Sequence, residues 1–185
     1  KKRIHTVYVS NGFETKEALD KILPYLDAIN VDLKSSRRKF YRNLCGARLD
    51  PVKRNIKYLA KKDIWLEVTT LLITNQNDSA KEIKDIAKFL AKVSPEIPWH
   101  ISRYFPCYKM NEPQTELETL KKAYEIGKKA GLKYVYVGNV QNFGKEDTIC
   151  PKCEELLVSR FGYTVESYMR KGRCPKCSEK IVGRF

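Results

Sequence analysis

Residues 65–93 read WLEVTTLLITNQNDSAKEIKDIAKFLAKV, and this stretch decides the fold. Its first part, Trp65 to Ile73, is apolar or β-branched and predicts a strand, and a short polar loop follows. From about Asp78 to Val93, apolar residues recur at helical spacing, which predicts a helix with one face against a sheet. Ser79 and Glu82 have the spacing of a capping box at its start. Together these segments form one βα unit, the building block of parallel sheets.

The same alternation of strand and helix extends to both sides of this unit. Strands joined by helices build either an open doubly wound sheet or part of a (β/α) barrel, and both place ligands at the carboxyl ends of the strands. The alternation stops after Gly138-Asn139, so we divide the chain into a sheet domain, residues 1–143, and a cysteine-bearing appendage, residues 144–185. The predicted strands are Ile4–Ser10, Ala28–Leu33, Trp65–Ile73, Trp99–Phe105 and Lys133–Val137.

The predicted helices have recognisable starts and ends. One runs from about Thr15 to Leu26, and another begins at Asp50-Pro51, an N-cap residue followed by proline at the first helical position. Thr115 and Glu118 predict a capping box for the last helix of the sheet domain, which ends at Gly131.

The composition predicts a globular protein of the cytoplasm with no membrane partner. No segment of the 185 residues has the roughly 18 consecutive apolar residues of a membrane span, and the amino terminus lacks the apolar run of a signal peptide. The net charge of +14 raises the question of nucleic acid. Because the lysines are scattered among acids on predicted helix surfaces, a solvated surface is favoured over a nucleic-acid face.

Four of the six cysteines form two Cys-Pro-Lys-Cys pairs, separated by a spacer long enough for a β-hairpin. Two such pairs can direct four thiolates at one tetrahedral ion. The pattern predicts a structural zinc site, with rubredoxin-type iron as the alternative and disulfides as a third possibility. Cys45 and Cys107 stand alone and are predicted to be structural or incidental. The predicted metal ligands are Cys150, Cys153, Cys174 and Cys177.

Polar side chains share a face of two predicted strands. Asp32 and Lys34 flank Leu33, and an acid beside a base can hold a zwitterion such as an amino acid, although an ordinary salt-bridged strand end is the alternative. Glu67 and Thr69 likewise share a face, where an acid is costly unless it binds a ligand or a neighbouring side chain.

Several enzyme classes are disfavoured by what the sequence contains. The two histidines, His5 and His100, are predicted in strands and away from their carboxyl ends, which argues against a Ser/His/Asp or Cys/His nucleophilic site. No glycine-rich phosphate loop occurs in the sequence either. Hydrolases and nucleotide kinases are therefore disfavoured.

Longer motifs resemble a known family. Residues 9–13, VSNGF, and 28–34, AINVDLK, resemble strand motifs of radical S-adenosylmethionine enzymes of the pyruvate formate-lyase-activating type. Residues 67–73, 98–103, 108–110 and 133–140, followed by the cysteine pairs, resemble the AmmeMemoRadiSam-associated subfamily. The resemblance covers almost the whole chain.

The resemblance implies a partial (β/α) barrel, truncated on its amino-terminal side, with the four-cysteine zinc-ribbon-like appendage at its carboxyl end. In this family a [4Fe–4S] cluster binds S-adenosylmethionine and cleaves it to a 5′-deoxyadenosyl radical, which abstracts hydrogen from the substrate. The resemblance also implies a protein substrate and an electron donor such as flavodoxin or ferredoxin. The candidate cofactor-binding residues are Ser10, Asn11, Asn30, Asp32, Lys34, Glu67 and Thr69.

The Cys-x-x-x-Cys-x-x-Cys triplet that binds the cluster in this family does not occur in the 185 residues. We therefore expect the carboxy-terminal part of a longer oxidoreductase, inactive alone, with no catalytic residue of its own. Its first strand, Ile4–Ser10, is expected to be an exposed edge that favours self-association. Two alternatives stay open, a basic zinc-ribbon module that binds nucleic acid and a radical enzyme that modifies RNA.

Overall fold

The computed structural model describes residues 4–141 and 143–183. Parallel strands alternate with helices in its larger part, and a small antiparallel sheet follows. The strands of the main sheet are β1 (Val7–Ser10), β2 (Ala28–Asp32), β3 (Trp65–Leu72), β4 (Trp99–Arg103) and β5 (Val135–Gly138). The helices are α1 (Lys16–Ile22), α2 (Arg38–Leu44), α3 (Leu49–Leu59), α4 (Ala80–Val93) and α5 (Leu117–Lys129).

The main sheet has the strand order β1-β2-β3-β4-β5, with every neighbouring pair parallel. The spatial order is therefore the sequence order, as in a section of a (β/α) barrel, whereas a doubly wound sheet reverses its order partway. This arrangement, with the cysteine-bearing segment after it, confirms the predicted α/β fold class.

The two faces of the sheet differ in chemistry because side chains alternate along each strand. On the face covered by helices, Val31, Val68, Trp99 and Val135 align as register partners across four strands, and each is at least 96% buried. Helix α4 packs on this face through its predicted apolar stripe, whose members are all buried: Ile83, Ile86, Ala87 and Leu90. The opposite face, here called the inner face, carries polar side chains and forms the candidate site.

Three details of the helices differ from the sequence prediction. The predicted N-cap at Asp50 is wrong, because α3 begins at Leu49 with Arg48 as its N-cap residue, and Asp50 and Pro51 lie within its first turn. The first helix ends at Ile22 and continues as a 3₁₀ turn over Leu23–Tyr25, since Pro24 has no N–H to donate and its ring opposes a regular α-helical turn. The predicted capping box at Thr115 is wrong. Glu116 is the N-cap residue of α5, and the buried Thr115 hydroxyl instead donates to the Leu72 carbonyl at 2.6 Å.

The small sheet consists of β6 (Thr148–Ile149), β7 (Leu156–Phe161) and β8 (Thr164–Ser167) in antiparallel order β6-β7-β8. Its apolar side chains form a second core cluster that includes Tyr134, which lies just before β5. The Tyr134 hydroxyl accepts a hydrogen bond from the Val182 amide at 3.2 Å. The appendage therefore packs against the end of the main sheet where β5 begins.

In the described parts of the chain, no helix combines the length and the apolar character that crossing a bilayer requires.

Candidate functional site

A row of polar side chains crosses the inner face of the main sheet. Asp32, Thr69, His100 and Tyr136 are register partners on β2, β3, β4 and β5, one residue along from the buried row of the opposite face. The rings of His100 and Tyr136 stack with centroids 5.1 Å apart. The half-buried row thus places an acid, a hydroxyl, an imidazole and a phenol side by side.

Glu67 lies at the centre of a hydrogen-bonded network next to this row. Its carboxylate accepts from the Trp65 indole at 2.8 Å, contacts His100 Nε2 at 2.9 Å, and lies 3.5 Å from the Asn30 amide nitrogen. Thr69 donates to the Asn30 side-chain oxygen at 2.8 Å. Burial raises the pKa of Glu67, but the hydrogen bond and charge of His100 and the other donors outweigh burial and lower the pKa overall.

Asp32 and Lys34 form an ion pair at the carboxyl end of β2, with Lys34 Nζ 2.7 Å from an Asp32 carboxylate oxygen. Each side chain remains about one-third exposed, so both charges can also reach a ligand. The buried Tyr41 side chain fixes the backbone of this pair, because the Tyr41 hydroxyl accepts a hydrogen bond from the Lys34 amide at 3.0 Å. Burial raises the pKa of Tyr41 above its ordinary value. The acid and base predicted to share a face do so.

Asn77 connects the carboxyl ends of β2 and β3. Its side chain is fully buried, and its amide nitrogen donates to the Lys34 carbonyl at 2.6 Å and to the Leu71 carbonyl at 2.8 Å. Its side-chain oxygen accepts from the Ile73 amide at 2.6 Å. Asn77 therefore sets the position of the Lys34 backbone relative to β3.

Ser10 and Asn11 form the turn that follows β1. The Ser10 hydroxyl donates to Glu14 at 2.6 Å and accepts from the Gly12 amide at 2.9 Å, and the Asn11 side chain accepts from the Phe13 amide at 2.9 Å. Both side chains are engaged within the turn itself. The structure thus brings five of the seven candidate cofactor residues together at the inner face of β2 and β3 and the carboxyl end of β2, namely Asn30, Asp32, Lys34, Glu67 and Thr69. Ser10 is the register partner of Val31 and lies on the helix-covered side, and Asn11 lies in the turn after it.

Sequence reasoning missed three contributors to the site, His100, Tyr136 and Asn77. The signal for His100 was present, because β4 alternates apolar and polar residues and His100 falls on its polar face. Asn77 had no such signal, since asparagine in a polar loop is typical of an ordinary turn. Of the isolated cysteines, Cys107 is exposed, whereas Cys45 is half-buried near Lys34. Burial raises the pKa of the Cys45 thiol, and the Lys34 charge partly opposes this shift.

The four predicted metal ligands converge. The sulfur atoms of Cys150, Cys153, Cys174 and Cys177 all lie within 4.8 Å of one another, and two pairs are 3.6 Å apart. Four sulfurs at about 2.3 Å from a tetrahedral ion would be about 3.8 Å apart. The spacing therefore suits one ion. It does not suit a four-iron cluster, which places each thiolate on a different iron.

The two cysteine pairs have the same local geometry. In the first, the Glu154 amide donates to the Cys150 carbonyl at 3.0 Å with Glu154 at φ 61°. In the second, the Ser178 amide donates to the Cys174 carbonyl at 3.0 Å with Ser178 at φ 60°. Equivalent turns on both sides present two thiolates each, so the site can form without rearrangement.

No protein-family model matches the sequence. An uncharacterized protein of Methanocaldococcus jannaschii is 41% identical over 157 residues, which are 84% of this chain and 46% of that protein. The 4-hydroxyphenylacetate decarboxylase activating enzyme of Clostridioides difficile is 32% identical over 92 residues, which are 48% of this chain and 29% of that enzyme. The chain thus spans less than half the length of these curated relatives.

Solved structures share the fold. A crystallised domain of a pyruvate-formate lyase-activating enzyme from Bacteroides vulgatus superposes with a TM-score of 0.64 and 27% identity, over 74% of this chain and 82% of that domain. A radical S-adenosylmethionine methyltransferase from Sphaerobacter thermophilus matches in fold, with a TM-score of 0.51 and 14% identity over 71% of this chain and 39% of that chain. Activating enzymes of 4-hydroxyphenylacetate decarboxylase and of pyruvate formate-lyase are thus among the proteins to which this chain is similar, and a radical S-adenosylmethionine methyltransferase shares its fold. The family resemblance is confirmed at this level, and the subfamily stays a prediction.

Proposed function

We propose that this chain forms part of a radical S-adenosylmethionine enzyme that resembles the glycyl-radical activating enzymes and works in the cytoplasm. The observation that carries the proposal is the Asp32–Lys34 pair on the inner face, at the carboxyl end of a sheet whose fold matches a pyruvate-formate lyase-activating enzyme domain. The similarity to activating enzymes supports this function over a nucleic-acid module.

The donor set suits the methionine moiety of S-adenosylmethionine. That moiety is a zwitterion, so Asp32 would hold its ammonium group and Lys34 its carboxylate, at the cost of loosening their mutual ion pair. Thr69 and Asn30 present hydrogen-bonding groups beside them. Ser10 and Asn11 lie in the turn at the carboxyl end of the neighbouring strand β1, and Glu67 would position His100 and Asn30 behind the donor set.

The iron–sulfur cluster does not fit the residues present. A cluster in this family needs three thiolates, and outside the four-cysteine site the chain has only Cys45 and Cys107, which lie after α2 and after β4. When bound to a reduced [4Fe–4S] cluster, S-adenosylmethionine supplies a 5′-deoxyadenosyl radical. We place the cluster cysteines in another part of the longer protein and assign none of that chemistry to this chain.

For the four-cysteine site we propose structural zinc. Four thiolates close the coordination sphere and leave no position for a substrate, which is typical of structural rather than catalytic zinc. The metal would join two segments of the appendage that are 21 or more residues apart in sequence. Protein purified without chelator should contain one equivalent of zinc rather than iron by elemental analysis.

Two measurements test the proposed function. S-adenosylmethionine binding to the full chain is followed by equilibrium dialysis, with the variants Asp32→Asn and Lys34→Met and the surface control Lys121→Met. Each site variant should weaken binding about tenfold and the control should not. Equal binding by all four proteins would reject the site.

The second measurement uses a longer polypeptide that carries the cluster cysteines. After anaerobic iron–sulfur reconstitution and reduction, it should release 5′-deoxyadenosine from S-adenosylmethionine, and the Asp32→Asn variant should release at least tenfold less. A fully loaded cluster that yields no 5′-deoxyadenosine would reject the reaction class.

A further inference from the structure

Glu82 is a buried acid whose placement the start of its own helix does not explain. It is the third residue of α4, and its amide donates to the Ser79 hydroxyl at 3.3 Å, as the predicted capping box requires. In the complete motif the glutamate side chain returns to the amide of the N-cap residue. The Glu82 carboxylate instead faces the loop after β2 and is only 2% exposed. Burying a carboxylate costs free energy unless hydrogen bonds and an opposite charge compensate it.

The loop after β2 supplies these compensating contacts from three consecutive residues. The hydroxyl of Ser35, which is fully buried, donates to one Glu82 oxygen, and the Ser36 amide donates to the same oxygen at 3.3 Å. The Arg37 guanidinium pairs with the other carboxylate oxygen. A second nitrogen of this guanidinium donates to the Gln76 carbonyl in the loop after β3. Glu82 therefore ties the loop after β2 to the start of α4.

The tied segment begins directly after Lys34. Two other buried side chains hold the Lys34 backbone, because its amide donates to the Tyr41 hydroxyl at 3.0 Å and its carbonyl accepts from the Asn77 amide at 2.6 Å. Glu82 adds the anchor on the carboxy-terminal side, through Ser35, and it is the charged member of the three. A lysine side chain is long and flexible, so the position of its backbone decides which ligand atoms its ammonium can reach.

We propose that Glu82 is a positioning residue for Lys34, and that its buried carboxylate fixes the adjoining backbone so that the Lys34 ammonium meets the carboxylate of S-adenosylmethionine. The inference rests on the proposed function and adds to it a residue that touches no ligand. When such a support is removed, the contacting side chain has to be ordered at the moment of binding, which lowers affinity. The loss should be confined to ligands that carry the carboxylate.

Equilibrium dialysis of the full chain with two ligands tests the inference. The ligands are S-adenosylmethionine and decarboxylated S-adenosylmethionine, which lacks the carboxylate that Lys34 would hold. Glu82→Ala should weaken binding of S-adenosylmethionine about tenfold and that of the decarboxylated ligand less than about twofold. Glu82→Gln keeps an oxygen that can accept from Ser35 and Ser36, so its loss for S-adenosylmethionine should be only about threefold.

A double-mutant cycle shows whether Glu82 acts through Lys34. In a Lys34→Met background, Glu82→Ala should weaken S-adenosylmethionine binding by less than about twofold, because no ammonium is left to position. Ile86→Val is the matched control, since it removes one carbon from the buried stripe of α4 and no hydrogen bond. It should lower the stability of the fold and leave the affinity for both ligands within about twofold of wild type.

Two results would overturn the inference. One is equal weakening of both ligands by Glu82→Ala, which would make Glu82 a support of the fold as a whole. The other is unchanged affinity for S-adenosylmethionine in a folded Glu82→Ala protein. If circular dichroism shows that Glu82→Ala does not fold, Glu82→Gln decides alone, since a loss confined to S-adenosylmethionine supports the inference and an equal or absent loss contradicts it.

Failure of the inference differs from failure of the proposed function. Wild-type protein that binds neither ligand would reject the proposed function, and the inference with it. Wild-type and Ile86→Val proteins that bind S-adenosylmethionine, beside Glu82 variants that show no selective loss, would reject the inference alone.

Discussion

Replacing Gly12 with alanine should destabilise the protein more than any other simple change in the turn after β1. Gly12 is buried with φ +69°, and an added Cβ would lie 2.6 Å from Val31 Cγ1 and 3.1 Å from Val52 Cγ1. Both valines are fully buried, so neither can move without disturbing the core. The left-handed backbone costs alanine about 1–2 kcal/mol. Overpacking adds about 1–3 kcal/mol, so the expected total is about 2–5 kcal/mol.

Gly46 provides a matched control. It has φ +58°, but an added Cβ would meet no heavy atom within 4 Å. Gly46→Ala should therefore carry only the backbone cost of about 1–2 kcal/mol. Urea unfolding followed by circular dichroism gives both free energies of unfolding. The Gly12→Ala protein should also melt lower, by about 2–4 °C for each kcal/mol.

The outcome that refutes this reasoning is an equal loss of stability in the two variants. A double-mutant cycle with Val31→Ala sharpens the test, because shortening Val31 removes the close contact and should recover about 1 kcal/mol or more as coupling energy. Gly12→Ala should also weaken S-adenosylmethionine binding, since the Gly12 amide donates to Ser10 Oγ and holds the turn in place.

Three further predictions concern other parts of the molecule. Removing the metal with a chelator should speed amide hydrogen exchange in β6–β8 while leaving β2–β4 protected. Elemental analysis should find that the Cys107→Ser variant retains the metal and that the Cys174→Ser variant loses it. Asn77→Ala should cost about 2–4 kcal/mol in urea unfolding, because it leaves two carbonyls and one amide without their buried partner. Glu67→Gln should cost about 1–2 kcal/mol at pH 7. The pKa of Glu67 is lowered in the folded state, so this difference should be complete above the unfolded pKa of about 4.3 and shrink as the pH falls through the lower folded value; a difference that grows in acid would contradict it.

The fold was predictable because each strand and helix carries its own periodicity. The alternation from Trp65 to Leu72 and the apolar stripe of α4 each specify a buried face. The loop between them is short, and parallel strands need a helical crossover connection, so this strand and helix belong to one βα unit. Thr115 was misread for the opposite reason. A threonine before an acidic helix start is typical of a cap, and only the three-dimensional neighbourhood of Leu72 and Tyr104 shows that its hydroxyl bridges two other segments.

The candidate site was predictable only within a strand. Asp32 and Lys34 are two residues apart, so alternation alone places them on one face. Glu67 and His100 are 33 residues apart, and their contact depends on the register between β3 and β4. Register is a property of pairing, which the sequence of either strand does not contain.

That same register explains how the polar row is held in place. Asp32, Thr69, His100 and Tyr136 each follow a member of the buried row that begins with Val31. Slipping any strand by one residue would bring its polar side chain into the helix-covered core and expose its apolar neighbour, which core packing strongly opposes. Packing against the helices therefore fixes the positions of the polar groups on the inner face. Substitutions in the buried row should accordingly alter the site without touching a ligand.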